Sequence, residues 1–422
     1  MIFAGGGTGG HLIAGLSIAQ EISARFPGAN IIFFGTSKKG ESGYIGKSGY
    51  EFKQIKACKF TSFIRLPVFI FVSLIGIIHS LVNIIKVKPD IIIGLGGYGS
   101  ALPVVAAYIT GVPIVLIEQN VIPGRANLIM SRWVDAILCH WESTKNRFKK
   151  VSSVSVTGIP VRRDILENET KVVKNPFGLT SQGKTLLVMG GSQGSQAINK
   201  VLLQSIPKLK ALIPGLQIIH LTGKEGYKEV KDAYDNLGIN SFVSEFSSEI
   251  GIAYRLADLV ICRAGANTIA EISAVGIPAI LIPYPYATDN HQYWNAYELA
   301  RVGGALILKQ DELKSERLTE LVSNLFRNNE ELDNMKRISR RLSKPFAAEK
   351  VVDKICQVLE EGRETKDERR GTRDEGREKK DERRRTRDEG REKKDERRRT
   401  RDEGRETNRF ELFERFKWYL KV

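Results

Sequence analysis

Gly5-Gly6-Gly7-Thr8-Gly9-Gly10-His11 is a glycine loop between a stub of apolar strand, Ile2-Phe3-Ala4, and Leu12-Ile13-Ala14-Gly15-Leu16-Ser17-Ile18-Ala19, which reads as a helix. Strand, glycine turn and helix start form the layout in which backbone N–H groups and a helix N-terminus attract an anion. The spacing Gly5-x-Gly7-x-x-Gly10 fits the dinucleotide fingerprint. The same glycines would also serve a tight turn that holds no ligand. A second unit of this kind stands at Leu186-Leu187-Val188-Met189-Gly190-Gly191-Ser192-Gln193-Gly194-Ser195, so the architecture restarts near residue 182.

Around these loops, short apolar runs alternate with helical stretches: 31–34, 91–94, 114–117, 136–139, 154–157, 185–189, 217–221, 259–262, 279–282 and 305–307. Most show no polar alternation, as in parallel strands covered on both faces. The expected fold is α/β: two doubly wound Rossmann-like domains facing across a cleft, with a linker around 158–175 and ligands at the carboxyl ends of the strands.

At 422 residues the chain exceeds one ordinary core, and a hydrophobic content of 42% is enough to pack two. The formal charge of +16 favours anionic partners: nucleic acid, phosphorylated metabolites or an acidic membrane face. Cys58, Cys139, Cys262 and Cys356 lie far apart and form no CxxC or Cys/His ligand pattern, which reads as reduced thiols in a cytosolic protein. No secretory signal pattern stands at the start.

No acidic residue occurs from Phe52 to Pro89, while Lys53, Lys56, Lys59, Arg65, Lys86 and Lys88 flank twenty uncharged residues, 66–85. That run is long enough to span a membrane. Pro67 and Gly76 interrupt it, and Ser73, Gly76, Ser80 and Asn83 recur at helical spacing, leaving a wide apolar face. A buried core helix and a true span both fit. The reading preferred is a helix or helix pair that dips into a membrane interface, with cations meeting anionic headgroups.

Residues 366–407 are three copies of a 14-residue charged unit with nineteen basic and fifteen acidic side chains, and no apolar residue to build a core. A solvated helix with a glycine break in each repeat is expected. The interspersed acids and missing aromatics argue against a nucleic-acid arm. Residues 408–422 end the chain in a short amphipathic aromatic segment.

Several polar motifs fall at predicted strand–helix junctions: Gly94-Leu95-Gly96-Gly97-Tyr98-Gly99-Ser100, Glu118-Gln119-Asn120 with Pro123-Gly124 and Asn127, Gly158-Ile159-Pro160-Val161-Arg162, Arg263-Ala264-Gly265-Ala266-Asn267-Thr268 with Glu271, and His291-Gln292 with Asn295-Ala296. Together with the two glycine loops they span residues 5–296, and in this set the chain resembles the MurG family of bacterial GlcNAc transferases, glycosyltransferase family 28. That resemblance implies a GT-B fold and transfer of GlcNAc from UDP-GlcNAc to the C4 hydroxyl of MurNAc in undecaprenyl-pyrophosphoryl-MurNAc-pentapeptide, lipid I to lipid II. It implies inversion at the anomeric carbon, with no metal and no cofactor. The implied partners are UDP-GlcNAc, lipid I and the cytoplasmic membrane face through residues 65–88, with cell-wall synthesis proteins as candidates and no nucleic acid. The implied division is 1–160 for acceptor and membrane, 161–345 for UDP-GlcNAc, 346–362 for a helix returning to the first domain, 363–407 for the repeats and 408–422 for the end segment.

Site roles follow from the same resemblance. Negative charge grows on the β-phosphate as UDP leaves, so helix N-termini must meet it. The loops with Ser192, Gln193 and Gly194 and with Ala266, Asn267 and Thr268 would supply those N–H groups. Glu271 would take the ribose hydroxyls, Arg162 would contact the nucleotide, and Gln292 and Asn295 would read GlcNAc, with Asn120, Thr8, Gly9 and Gly10 nearby. Gly7, Gly9, Gly10, His11, Gly97 and Tyr98 would hold the acceptor pyrophosphate. The attacking hydroxyl needs a base. His11 fits that role or a pyrophosphate contact, and Glu118 is the alternative base. His291 would touch sugar or phosphate, while His79, His140 and His220 read as structural.

Ala14 stands where proline is common in this family, and Ser247-Ser248 where an aliphatic residue is usual near the uracil. Other classes fit less well. An NAD-linked oxidoreductase needs an acid after the second strand, and Phe33-Phe34-Gly35-Thr36 offers none. A transferase acting on diacylglycerol would not account for the Glu118 and Gly97 motifs, and a basic scaffold would depend on the tail.

Overall fold

The computed structural model describes the chain except residues 7–8, 37–40, 59–65, 149–152, 167–174, 192, 365–378, 381, 383–385, 388–389, 395 and 401–422. Met1–Leu359 form one compact unit and Glu360–Val422 another. The described repeat residues, among them 390–394 and 396–400, are helical. The 408–422 segment lies outside the described residues.

The first sheet holds β1 (Ile2–Gly5), β2 (Ile32–Gly35), β3 (Glu51–Gln54), β4 (Ile92–Gly96), β5 (Ile114–Glu118), β6 (Ala136–Cys139) and β7 (Val154–Val156). Its order is β3-β2-β1-β4-β5-β6-β7 and every pairing is parallel. The second holds β8 (Lys184–Met189), β9 (Leu216–Leu221), β10 (Asn240–Ser244), β11 (Leu259–Cys262), β12 (Ala279–Leu281) and β13 (Ala305–Ile307), ordered β10-β9-β8-β11-β12-β13 and again parallel. Both sheets thus repeat the doubly wound pattern and reverse direction at one point, between β1 and β4 and between β8 and β11.

Crossover helices cover both faces. With the first sheet come α1 (Gly9–Arg25), α2 (Glu41–Lys47), α3 (Leu66–Val87), α4 (Tyr98–Thr110), α5 (Arg125–Met130) and α6 (Glu142–Lys145), while α7 (Arg163–Leu166) packs into the second half. With the second come α8 (Gln196–Leu212), α9 (Tyr227–Asn236), α10 (Ile250–Leu256), α11 (Ala266–Val275), α12 (His291–Ala300), α13 (Ser315–Arg327) and α14 (Asn329–Arg341). Alternate strand residues feed opposite cores. Phe3, Phe33, Ile93 and Val115 enter one, and Ile2, Phe34, Ile92 and Leu116 the other. Val351, Val352, Ile355 and Val358 close the first of these, so the chain returns from the second sheet to cover the first.

Ten strands lie within two residues of the apolar runs read from sequence. β1 matches the stub Ile2-Phe3-Ala4, and the two strands left unread, β3 and β10, each lie at one edge of their sheet, where half-exposed patterns such as Glu51-Phe52-Lys53-Gln54 replace continuous apolar residues. An edge strand needs only one covered side, so its composition carries little signal.

Residues 66–85 form one helix, α3, and it is not a core helix. Pro67 sits in the first turn, where its missing N–H costs nothing. Gly76, Ser80 and Ile84 are the residues it buries, while Val68, Phe71, Leu74, Ile78 and Ile85 are each more than half exposed. The small stripe faces the protein because there is no room for more: a Cβ on Gly76 would stand 2.3 Å from the Lys56 carbonyl and 2.4 Å from Leu102. The usual polarity of a surface helix is therefore inverted. Exposed Tyr108 and Ile109 at the end of α4 and Leu128 and Ile129 on α5 add further apolar surface.

Candidate active site

The loops at the reversal point of the first sheet touch each other. A Cβ on Gly97 would lie 3.3 Å from the Gly6 carbonyl, and one on Gly99 would lie 3.1 Å from the Gly6 nitrogen. Gly97 has φ +75° and precedes Tyr98, the first residue of α4. His11, in the first turn of α1, lies against the same backbone: a Cβ on Gly96 would come 3.3 Å from its Nε2 and 3.4 Å from Asn127 Nδ2. Burial lowers the His11 pKa to about 4, and the charge of His291 pushes the same way. The ring is therefore neutral at pH 7 and can accept a proton. Gly9 and Gly10 open α1, whereas Gly7 and Thr8 lie outside the described residues.

Glu118 is not placed to act as a base. It is buried under its own loop, with Oε1 accepting from Asn120 N (2.9 Å) and Nδ2 (3.3 Å) and Oε2 from Gly124 N (2.9 Å) and Asn127 Nδ2 (2.8 Å). Burial raises its pKa and these four donors oppose the rise. A carboxylate so occupied shapes residues 118–127 and has no free oxygen for an attacking hydroxyl.

At the reversal point of the second sheet, the turn after β8 leads to Ser195, whose Oγ caps α8 through Ile198 N. Gly194 has φ +75°, and a Cβ there would lie 2.0 Å from the Thr222 carbonyl, so only glycine fits. Gln193 is exposed in this turn, and Ser192 lies outside the described residues. Arg263 ties the turn to the next loops: it donates to Ser195 Oγ (2.8 Å), Gln310 Oε1 (2.6 Å) and the Ile282 and Pro283 carbonyls. Ala266, Asn267 and Thr268 form the first turn of α11, where backbone N–H groups lack helical partners.

Glu271, one turn further on, is buried and accepts a hydrogen bond from the Tyr254 hydroxyl at 3.0 Å. Its other oxygen faces Arg162 Nε at 3.9 Å, and that nitrogen is buried with no hydrogen-bond partner. Burial raises the Glu271 pKa and the Arg162 charge lowers it.

The two halves meet at these loops. Asn267 Nδ2 donates to the Gly10 carbonyl at 2.8 Å. Asn295 was expected to read sugar, but the structure buries it fully between the halves: Oδ1 accepts from Val121 N at 3.0 Å and Nδ2 donates to Asn120 Oδ1 at 3.0 Å. Its amide, bonded to the Asn120 side-chain oxygen and the Val121 N–H, joins the two halves across the cleft. Gln292 Oε1 accepts from Tyr284 N, and His291 Nδ1 bonds the Thr288 carbonyl. Arg125 grips Asp289 through two bonds at the rim.

Sequence reading quoted Asn127 and Arg263 inside motifs without assigning them work, and it passed over Tyr254, which belongs to no motif. His140 and His220 are buried within the fold. His140 Nδ1 accepts from Ile159 N, and His220 lies between Tyr234 and Asn199. His79 is exposed on α3. Among the described residues no group of three or more His, Cys, Asp or Glu side chains could hold a metal ion.

The Glycosyltransferase family 28 N-terminal domain matches residues 1–139, and the Glycosyltransferase family 28 C-terminal domain matches 185–353. The chain is 36% identical over 364 residues to a UDP-N-acetylglucosamine--N-acetylmuramyl-(pentapeptide) pyrophosphoryl-undecaprenol N-acetylglucosamine transferase of Thermodesulfovibrio yellowstonii, covering 84% of this chain and 97% of the relative. The Myxococcus xanthus protein of the same name is 35% identical, over 84% and 92%. Among solved structures, Acinetobacter baumannii MurG matches with a TM-score of 0.68 at 27% identity, over 84% of this chain and 98% of that one. A UDP-GlcNAc 2-epimerase from Neisseria meningitidis shares the fold alone, with a TM-score of 0.62 at 13% identity, over 84% and 99%. With both domains matched and such relatives aligned along nearly their whole length, this chain belongs to glycosyltransferase family 28, among the MurG GlcNAc transferases of GT-B fold.

Proposed function

We propose that this chain transfers GlcNAc from UDP-GlcNAc to the C4 hydroxyl of MurNAc in undecaprenyl-pyrophosphoryl-MurNAc-pentapeptide, inverting the anomeric carbon without a metal. The observation that carries this reading is the Asn267–Gly10 contact at 2.8 Å, which brings two glycine loops with anion-binding layouts face to face in one cleft. UDP-GlcNAc lies on the second sheet, with its pyrophosphate on the turns at 190–195 and 265–268 and its ribose at Glu271 and Arg162. The acceptor diphosphate lies on the turns at 5–10 and 96–98, which puts the C4 hydroxyl beside His11. Attack from that side displaces UDP from the opposite face of the sugar, hence inversion. Charge developing on UDP meets the N–H groups of the α11 terminus.

His11 takes the proton. With a pKa lowered by burial to about 4 it is a weak base. A bound diphosphate stabilises the imidazolium and raises that value, so the base strengthens once the acceptor is seated. Acceptor recognition belongs to residues 1–160 and donor recognition to 161–345, with 346–362 joining them. The exposed apolar face of α3, followed by Lys86 and Lys88, docks the enzyme on the cytoplasmic face of the membrane that carries the acceptor. The charged repeats take no part in turnover.

Purified protein in detergent should transfer radiolabelled GlcNAc from UDP-GlcNAc to a lipid I analogue, with and without chelator, and after deletion of 363–422. Absence of transfer overturns the activity. Loss with chelator overturns the metal-free form, and loss on deletion overturns the view of the tail.

A further inference from the structure

We propose that the Asn267 side chain reads a sugar of the substrate pair across the cleft. Its Nδ2 holds the first half by the Gly10 carbonyl, and its Oδ1 accepts from a hydroxyl or acetamide N–H of GlcNAc or MurNAc. This rests on the proposed placement of the two diphosphates on the loops beside it.

Asn267 follows Ala266 in the first turn of α11, so its backbone belongs to the second half. Its side chain reaches the first. Nδ2 donates to the Gly10 carbonyl at 2.8 Å, and a carbonyl oxygen pairs only with a donor, so this bond fixes which end of the amide is nitrogen. The oxygen is thereby fixed as well. Oδ1 is buried, and among the described residues it has no hydrogen-bond partner. A buried amide oxygen without a donor is costly, so the site is complete only when a bound molecule supplies one.

The surroundings narrow what that molecule presents. The α11 terminus offers backbone N–H groups to one diphosphate, and Gly9 and Gly10 open α1 towards the other. Phosphate oxygens near neutral pH carry no proton, and Oδ1 repels them. The group that meets Oδ1 must carry a proton and no negative charge. Between two diphosphate-linked amino sugars, the hydroxyls and acetamide N–H groups of the sugars fulfil both conditions. The Gly10 bond crosses between the halves, so Oδ1 is aimed only while they are together. The sugar is therefore read in the closed cleft, at the residue that precedes His11.

Asn267→Leu keeps the size of the side chain and removes both polar ends. Calorimetry with UDP and with UDP-GlcNAc, and transfer at varied concentration of a lipid I analogue, separate the two sources. UDP affinity should be unchanged, which also shows that the variant folds. If Oδ1 reads GlcNAc, UDP-GlcNAc binds roughly three- to tenfold more weakly, the span of an uncharged hydrogen bond, and the acceptor KM holds. If it reads MurNAc, the acceptor KM rises by that factor and both nucleotides bind as before.

An equal rise for both sugar substrates overturns the proposal and leaves Asn267 as a link between the halves alone. Unchanged constants for both also overturn it. So does weakening of UDP by the same factor as UDP-GlcNAc, which would mean a disturbed phosphate turn. Wild-type protein that binds neither nucleotide instead defeats the placement underneath.

Discussion

Asn295 and Val121 lie 174 residues apart in the chain and meet in the cleft, where the Asn295 Oδ1 accepts the Val121 N–H at 3.0 Å. Each atom is buried, and each would lack a partner if the halves parted in a dry environment. The exposed Arg125–Asp289 pair at the rim is shorter, at 2.7 Å, yet solvent screens it and it contributes little. The buried amide is the stronger link between the halves.

Replacing Asn295 with Ala should therefore cost about 1–3 kcal/mol of unfolding free energy, the penalty for leaving a buried donor unpaired. Arg125→Ala should leave stability close to that of wild type. Urea unfolding of both variants measures the difference, and equal losses would place the link at the rim.

Acid stability should show the buried histidines. His11 is held at about 4, and His140 and His220 at about 3, chiefly by burial, against an unfolded value near ~6.5. Above the unfolded value they are neutral in both states and contribute nothing. As pH falls below it, the unfolded chain takes up protons that the native state refuses. Each histidine then removes about 1.4 kcal/mol per pH unit until its native pKa is reached. Glu118 and Glu271, raised by burial, bind protons more readily when folded and oppose this below their native pKa values. The clean measurement is a difference: His220→Gln should flatten the fall in stability between about pH 6 and 4 by roughly one proton. An unchanged slope would mean that His220 titrates in the native protein.

The roles of His11 and Glu118 separate kinetically. His11→Ala should lower kcat by roughly 10²–10⁴ with UDP affinity intact. Glu118→Gln should lower thermal stability, because an amide cannot accept from all four of its donors, yet leave the shape of the pH–rate profile unchanged. Loss of the acid limb in Glu118→Gln would restore it as a base.

The two faces of α3 should respond oppositely. Phe71→Glu and Ile78→Glu lie on the exposed face, so folding should hold while sedimentation with anionic vesicles is lost. Gly76→Leu lies on the packed face, and its side chain would strike the Lys56 carbonyl, so stability should fall by several kcal/mol. Vesicle binding that survives both glutamates would place the membrane contact elsewhere.

Periodicity and loop chemistry made the central strands of both sheets legible, because a strand buried on two faces must be apolar at every position. They also marked the reversal points, where Gly97 and Gly194 adopt positive φ and Gly194 leaves no space for a Cβ. The edges β3 and β10 were illegible for the converse reason. In α3 the inward stripe was visible as Ser73, Gly76, Ser80 and Asn83, but its direction was not, since a helical wheel does not say which side meets protein.

By itself the sequence determined the two doubly wound halves, the glycine turns and the residue types gathered at them. Those follow from local sterics and from the period of apolar residues, which the chain carries within a few positions. Tertiary structure alone decided which polar atoms are free. Glu118 and Asn295 read as reactive or sugar-reading groups, yet their donors and acceptors are consumed by Gly124, Asn127 and Val121. Tyr254 read as nothing and holds Glu271. Packing brings these partners, six residues apart for Glu118 and Gly124 and 174 for Val121 and Asn295, to about 3 Å in a place water does not reach, and no apolar period records that allocation.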